Sequence, residues 1–456
     1  MINRIFYILL ISQLWACNKS QSGEDDQSTE SNPEFMGGKS GTLFDASSNA
    51  YKAPINDLSE DDMAKHLVGD GFFESRFVTS PAVVNPGLGP LFNNTGCDGC
   101  HQKEGRGKPM VGRGPQGSQM LVFVSMPTGE PEVPGGPVPV PGIGFQILDQ
   151  AVFGQTPNAV VSLTWEEQPE QTFEDGAPYT LRKPKLNLTL ADGSAFPSGM
   201  LQSVRQPLPV FGLGLLEAIP EADIIANESA TGKVPGRLNW VWSVTENSKV
   251  LGRFGRKASI PSVVEQAGKA FALDIGLVNE VFKEIAQGAT GPNDEPIEIS
   301  KEAIEGAAFY LQTLAVPARR NMKDTDVLRG EALFTELGCV GCHQPQWKTG
   351  DHSVKGLANQ VIFPYSDFLL HDMGDGLADN RPDFEATGKE WRTPTLWGIG
   401  LTETILPQAS YLHDGRARSL TEAILWHSGQ AEAMKEGFRG LPVTDRDALI
   451  KFLRSL

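Results

Sequence analysis

The sequence predicts a mainly α-helical protein with two similar helical domains in tandem, the first of which carries a β-containing insertion. The string LFNNTGCDGCHQ starts at Leu91 and LFTELGCVGCHQ starts at Leu333, and eight of the twelve positions agree. Each string is followed by a segment with apolar residues at helical spacing, Glu302 to Val316 and Asp445 to Leu456. Because string and closing helix recur together, a whole module is repeated.

The first module is about twice as long as the second, and the surplus is dense in proline and glycine. Short alternating runs such as LVFVSM, VVSLTW and LNLTL occur in it, and this alternation is typical of strands. We therefore expect an N-terminal domain over residues 58–322 with a Pro/Gly-rich, β-containing insertion over about 109–220. Residues 323–456 are expected to form the C-terminal domain.

The N-terminus predicts export. Arg4 precedes an apolar run over residues 5–16, which has the length of a signal-peptide core and is too short to span a bilayer. The run ends in LWAC, which resembles a bacterial lipobox. Residues 1–17 are therefore expected to be a lipoprotein signal with Cys17 as the lipid anchor, on the periplasmic side of a membrane or at the cell surface; a plain signal peptide is the alternative. Residues 18–57 hold few large apolar side chains and predict a disordered linker.

The charge of the chain limits its partners. The 456 residues carry a formal net charge of −17, so the phosphates of nucleic acids and the surface of an anionic membrane repel the protein. We expect no nucleic acid as a partner, and membrane contact only through the lipid anchor.

The four cysteines beyond Cys17 form two Cys-x-x-Cys-His arrays. Two thiols one helical turn apart can each add to one vinyl group of a haem, and the histidine that follows supplies the proximal nitrogen to the iron. A zinc site would leave both histidines unexplained, and a thioredoxin-like motif would need none. The arrays predict two cytochrome c-type domains with two covalently bound haem c groups, attached at Cys97, Cys100, Cys339 and Cys342, with His101 and His343 as axial ligands.

Further strings resemble the bacterial di-haem cytochrome c peroxidases and their relative MauG. These strings are YLHDGR from Tyr411, followed by SLTEAILWH, and RTPTL from Arg392. A subgroup of di-haem oxidoreductases, often described as thiol oxidoreductases, is similar in GLGPLFN from Gly87, GLGLLEAIPEADI from Gly212, GRFGRKA from Gly252 and SDFLLHDMGDGLAD from Ser366. The similarity runs from about Leu58 to the C-terminus.

The resemblance implies a second axial ligand for the C-terminal haem. In the peroxidases this ligand comes from the helix after the His-Asp-Gly segment, and the residue at that place here is His427. A His343 and His427 pair lowers the haem potential relative to a His/Met pair. His371 and Met373 are rival ligands. The residues expected to clamp a haem propionate or to contact the haem ligands are Arg416, His413 and His371.

The first haem has no predicted histidine partner, because no histidine occurs from residue 102 to residue 342. Apart from His101, its domain offers only His66. We expect an open or weakly capped iron, where peroxide or another small oxidant binds. The alternative caps are Met110, Met120, Met126 and Met200, although methionine in such a stretch more often fills gaps.

The resemblance also suggests residues for proton handling. The relatives carry Trp-Asp-Gly-Arg, then a glutamine and a glutamate, near this iron. The corresponding text here is GRFGRKA, followed by Glu265 and Gln266, with Asp274 further along. Gln266, Glu265 and Asp274 are therefore candidate catalytic residues, or else ordinary polar groups on a helix surface. Trp240 and Trp242 are candidates for an electron relay or for the core.

Together these features predict an exported di-haem c-type cytochrome that acts as a peroxidase-like oxidoreductase. Electrons are expected to enter at the C-terminal haem, and a small oxidant or substrate to react at the N-terminal haem. The alternatives are a non-catalytic electron-transfer cytochrome that docks a redox partner, and a haem-based sensor. The expected partners are a small redox protein, as electron donor or acceptor, and a small-molecule oxidant or substrate. The resemblance also allows a calcium ion, which some relatives hold between domains.

Overall fold

Residues 32–112, 117–228, 234–282 and 298–456 are described by the computed structural model. Their helices are α1 (Gly38–Gly41), α2 (Glu60–Glu74), α3 (Cys97–Cys100), α4 (Leu213–Glu217), α5 (Glu221–Glu228), α6 (Val263–Asp274), α7 (Lys301–Gln312), α8 (Thr325–Glu336), α9 (Gly374–Leu377), α10 (Thr402–Ile405), α11 (Leu420–Leu425), α12 (Glu432–Gly440) and α13 (Val443–Ser455). Side chains cap several N-termini: Ser59 caps α2, Ser300 caps α7 and Asp324 caps α8.

The strands of the described residues pair in twos. They are β1 (Thr42–Leu43), β2 (Leu91–Phe92), β3 (Leu121–Ser125), β4 (Gln150–Ala151), β5 (Ala159–Glu167), β6 (Gln171–Thr172), β7 (Pro178–Tyr179), β8 (Arg182–Leu190), β9 (Leu201–Arg205), β10 (Trp240–Ser243), β11 (Ser248–Leu251), β12 (Val316–Pro317), β13 (Trp347–Lys348), β14 (Val361–Ile362), β15 (Leu370–Asp372) and β16 (Glu390–Arg392). The longest pairs are antiparallel, β5 with β8 and β3 with β9.

The structure has 31% helix and 19% strand, so helix is the more abundant element but the predicted mainly α-helical class is not clearly confirmed. Strands β3 to β9 all lie within the stretch predicted to be a β-containing insertion. They enclose a small core of their own, which includes Met120, Val122 and Val161. Residues 33–456 form one compact unit, so the domain boundary between residues 322 and 323 stays a prediction.

Each cysteine array lies beside a pair of closely packed helices. Helix α2 packs on α7 near the first array, and α8 packs on α13 near the second. Close approach depends on glycine in both pairs: a Cβ at Gly69 would lie 2.2 Å from the Gly306 carbonyl oxygen, and one at Gly330 would lie 2.0 Å from that of Ala448. The two segments predicted to close the modules correspond to α7 and α13.

Alanine in place of Gly69 should destabilise the protein by about 1–3 kcal/mol, since its methyl group has no room against α7. Gly71 lies in the same helix, and a Cβ there meets nothing within 4 Å. Gly71→Ala should therefore stabilise the protein by about 0.5–1 kcal/mol through a better helix propensity. Thermal unfolding followed by circular dichroism measures both. Equal effects of the two substitutions would contradict this packing.

The linker prediction is wrong from Pro33 onward. Met36, Tyr51 and Ile55 are each at most 2% exposed and belong to the main core. Strand β1 pairs in parallel with β12, so the backbone here is bonded to the body of the protein. The segment has few apolar side chains, but several of them occupy deep positions.

The predictions for residues 1–31, which include the signal sequence and the anchor Cys17, lie outside the described residues. Among the helices that are described, none combines the length and the apolar character needed to cross a membrane.

Candidate functional site

Both cysteine arrays line one internal cavity of about 590 Å³. This volume lies in the range of cofactor and ligand sites, roughly 300–1,000 Å³. The four cysteines of the arrays form no disulfide with one another. While no haem is attached, burial raises the pKa of the Cys97 and Cys339 thiols to about 12.

The first array occupies one turn of helix. Cys97 to Cys100 form α3, and the His101 amide donates to the Cys97 carbonyl at 2.9 Å. The His101 imidazole lines the cavity near Phe73, with 6.4 Å between the ring centroids. Burial lowers the pKa of His101 to about 4. The ring is therefore neutral at neutral pH, which is the form that binds a metal.

The second array orients its histidine through the backbone. The Nδ1 atom of His343 lies 3.0 Å from the Tyr365 carbonyl oxygen. A carbonyl only accepts, so Nδ1 carries the proton and Nε2 keeps its lone pair for iron. Burial, followed by the charge that His427 would carry, lowers the pKa of His343 to about 4.

His427 has the same local geometry. It lines the cavity from the residues that follow α11, and its Nδ1 atom lies 2.8 Å from the Ala423 carbonyl oxygen. Burial lowers the pKa of His427. Its Nε2 atom is therefore also left as a neutral nitrogen donor, and the two histidines are close enough to interact electrostatically.

The rival ligand His371 has both ring nitrogens engaged. Its Nε2 atom lies 2.8 Å from Asp367 Oδ2, and its Nδ1 atom lies 3.7 Å from Cys342 Sγ. Burial alone would lower the pKa of His371, but the bonds to Asp367 and Cys342 raise it to about 10. His371 thus contacts Cys342 of the second array and Asp367, and neither ring nitrogen is left without a partner. Met373 lines the cavity as well.

Arg416 does not have the position expected of a propionate clamp. Its Nε atom donates to Asp414 at 3.0 and 2.9 Å, and its Nη2 atom donates at 2.6 Å. The guanidinium also lies 4.5 Å from the Trp426 ring centroid, and the residue does not line the cavity. His413 does line it and stacks on Trp391 at 3.8 Å; burial lowers the pKa of His413 to about 3.

Three other arginines line the cavity and bind only backbone carbonyls. Arg106 donates to Ser410, Arg256 to Gln206, and Arg392 to Gly255 and Thr393. In the described part of the chain, no ion pair engages any of them. Burial, reinforced by the charges of Arg106 and Arg392, holds the pKa of Arg256 well below its ordinary value.

This arginine cluster, together with the thiols and imidazoles, fits a haem. Buried cations without anions are costly, and each haem brings two carboxylate side chains that such guanidinium groups bind. Sequence reasoning missed the cluster. The signal was nevertheless present, since Arg256 and Arg392 both belong to the strings that carry the family resemblance.

Methionine in place of Arg256 should lower the reduction potential of at least one haem by on the order of 1 kcal/mol, or roughly 40 mV, because a nearby positive charge favours the reduced iron. Arg253→Met is the matched control. Its guanidinium also binds backbone carbonyls, but it does not line the cavity. Spectroelectrochemical titration measures both variants. Equal shifts of the reduction potential in the two variants would show that Arg256 does not lie near a haem.

The predicted methionine caps are not at the cavity. Met120 is fully buried in the core of the insertion, Met126 and Met200 pack against that core, and none of these or Met110 lines the cavity. His66 is also absent from the lining; its Nδ1 atom lies 2.7 Å from Thr313 Oγ1. These side chains fill or stabilise the core instead of capping the first iron.

The three candidate catalytic residues all reach the cavity wall from α6. Glu265 is 2% exposed and accepts from Ser243 Oγ at 2.5 Å and from Thr245 Oγ1 at 2.6 Å. Asp274 accepts from Gln146 Nε2 at 2.8 Å. Burial raises the pKa of Asp274 to about 6, so this carboxyl group can exchange a proton near neutral pH.

Gln266 and Trp242 also line the cavity, whereas Trp240 does not. Of the two predicted relay tryptophans, the structure therefore brings only Trp242 to the cavity.

The chain is similar to solved structures over about half of its length and to a protein family over nearly all of it. Hydrazine synthase of Kuenenia stuttgartiensis is 17% identical, with a TM-score of 0.32 over 56% of this chain and 73% of that one. A MauG-like protein associated with microbial copper homeostasis is 16% identical, with a TM-score of 0.28 over 52% of this chain and 89% of that one. No curated protein sequence matches. A family model described as "Di-haem oxidoreductase, putative peroxidase" matches residues 31–456. The chain belongs to the di-haem oxidoreductase family.

Proposed function

We propose that this protein is an exported, peroxidase-like di-haem c-type oxidoreductase. Electrons enter at the haem held by Cys339 and Cys342, and a small oxidant such as hydrogen peroxide is reduced at the haem held by Cys97 and Cys100. Export and the lipid anchor at Cys17 rest on the N-terminal sequence, and a small redox protein is the proposed electron donor.

The observation that carries the proposal is the inequality of the two arrays. The charge of His427 acts on His343, as expected of two ligands that share an iron. His101 has no such partner among the described residues: besides burial, only the backbone at Gly105 and Leu208 shifts its pKa. These observations support the proposal that one iron is closed by two histidines, which suits electron transfer, and that the other keeps a free position.

When bound, each haem supplies an iron that takes up and releases one electron. The chain's own residues position these groups. His343 and His427 hold their rings through backbone carbonyls, while the arginine cluster of Arg106, Arg256 and Arg392 offers donors to propionates. Both arrays open onto one largely apolar cavity, which favours electron transfer between the two haems that they would hold.

Peroxide reduction consumes two electrons and two protons and yields two waters. The electrons come from the two reduced irons. On the protein side, Asp274 can hold a proton near neutral pH and lies on the wall that α6 forms.

Anaerobic titration of the fully reduced full-length chain with hydrogen peroxide tests the proposal, with the haem absorption as the readout. One peroxide should reoxidise both haems. In a Cys97→Ser, Cys100→Ser variant, the remaining haem should stay reduced on the same timescale. If peroxide leaves the wild-type spectrum unchanged while ferricyanide reoxidises both haems at once, the protein is an electron carrier and the proposal fails.

A further inference from the structure

One lysine in the cavity wall is unlike the other cations around it. Lys269 lies on α6, one turn after Gln266, and its side chain lines the cavity. Across the described ranges, no hydrogen bond or ion pair joins its amine to another side chain or to the backbone. Lys269 is half-buried and opens onto the cavity. Once a haem fills that cavity, an ammonium group without a partner is costly, so such an arrangement calls for a ligand.

The neighbouring cations are already satisfied. Arg205 and Arg381 take the two oxygens of Asp383, at 2.5 and 2.7 Å. Lys257 binds Asp379 at 2.8 Å. Since both oxygens of Asp383 are occupied, this carboxylate interacts with Lys269 only at longer range.

Two carboxylates and two guanidinium groups act on the Lys269 amine with opposite effects. Asp383 and Asp274 favour its charged form, whereas Arg381 and Arg205 oppose it. Burial outweighs the carboxylates and lowers the pKa of Lys269. The amine is thus a proton donor that gives up its proton more readily than an ordinary lysine.

Lys269 and His101 line the same cavity, and Asp274 at the end of the Lys269 helix acts electrostatically on Cys97 and Cys100 of the first array. His101 is packed near Phe73 of α2 and the backbone at Gly105 and Leu208. Lys269 comes from α6, together with Gln266 and Asp274. Of the two lysines that line the cavity, Lys435 is already paired with Glu432 and Glu436, which leaves the Lys269 amine as the donor for a small ligand on the iron that His101 would hold.

We propose that Lys269 is a catalytic residue of the first haem site, where its amine donates a hydrogen bond to a small anion or oxidant bound at the iron. This inference rests on the proposed function, since it needs an open first iron. Reduction of one peroxide to two waters would break the oxygen–oxygen bond and would take two electrons, supplied by the bound haems, and two protons. Lys269 gives one of the two protons needed to form water, and solvent supplies the other.

Fluoride binding to the oxidised full-length protein tests the inference without turnover, because fluoride is a small anion that accepts hydrogen bonds. Lys269→Met should weaken fluoride binding about 10- to 100-fold, as expected for the loss of one charge-assisted hydrogen bond. Lys269→Arg keeps a donor and should stay within about threefold of the wild type. Lys435→Met is the control, because Lys435 also lines the cavity but is paired with Glu432 and Glu436. Its fluoride affinity should not change.

The outcomes separate this inference from the proposed function. If wild type and Lys269→Met bind fluoride equally well, the first iron is open and Lys269 is not its donor. If the wild type binds no fluoride and is wholly low-spin, both the proposed function and the inference fail. If Lys269→Met converts a low-spin wild-type iron to high spin, Lys269 is an iron ligand and its role as a donor is refuted.

Discussion

Serine at both Cys339 and Cys342 should leave the protein with one covalently bound haem instead of two. A hydroxyl group does not add to the haem vinyl groups as a thiol does, and the two thiols lie one turn apart at the same cavity. The mass of the intact protein, together with the haem content of the unfolded chain, measures the loss. The Cys97→Ser, Cys100→Ser variant should lose the other haem.

These paired variants also identify which spectrum belongs to which array. The second-array variant should keep the iron that responds to added anions, and the first-array variant should keep the iron that does not. Retention of two haems in either variant would show that the arrays are not the attachment sites.

Alanine at His427 should convert the C-terminal haem from low spin to high spin. The substitution removes the free Nε2 nitrogen of a ring that Nδ1 orients by its bond to the Ala423 carbonyl oxygen, and whose charge would act on His343. The absorption spectrum of the oxidised protein, measured in the Cys97→Ser, Cys100→Ser background, reports this haem alone. The haem should then also bind cyanide or peroxide.

Two controls accompany the His427 variant. His352→Ala removes a histidine outside the cavity, whose Nδ1 atom accepts from the Val354 amide, and should leave the spectrum unchanged. Met373→Leu tests the rival at the cavity wall and should also leave it low-spin. If His427→Ala stays low-spin and Met373→Leu does not, methionine is the ligand.

Sequence patterns predicted those helices, strands and motifs that depend on residues close together along the chain. The two arrays and the closing helices α7 and α13 follow from spacing along the chain, and the strands of the insertion follow from alternation. Even the placement of Gln266, Glu265 and Asp274 on one wall was accessible through a loose resemblance.

Features that depend on distant partners could not be predicted in the same way. Arg416 was expected to face a haem, but Asp414, two residues away, binds it. Arg106 and Arg256 meet only because residues far apart in sequence converge on the cavity. Likewise, the segment around Tyr51 reads as too polar to fold alone, yet it is buried by the rest of the chain.

We propose that one haem iron is closed by two histidines and that the other has an open coordination position. Low-temperature electron paramagnetic resonance of the oxidised full-length protein tests it most directly, because high-spin and low-spin ferric haem give separate signals. We expect one high-spin and one low-spin iron per chain, with cyanide converting only the high-spin signal. Two low-spin irons that do not respond to cyanide would contradict the account.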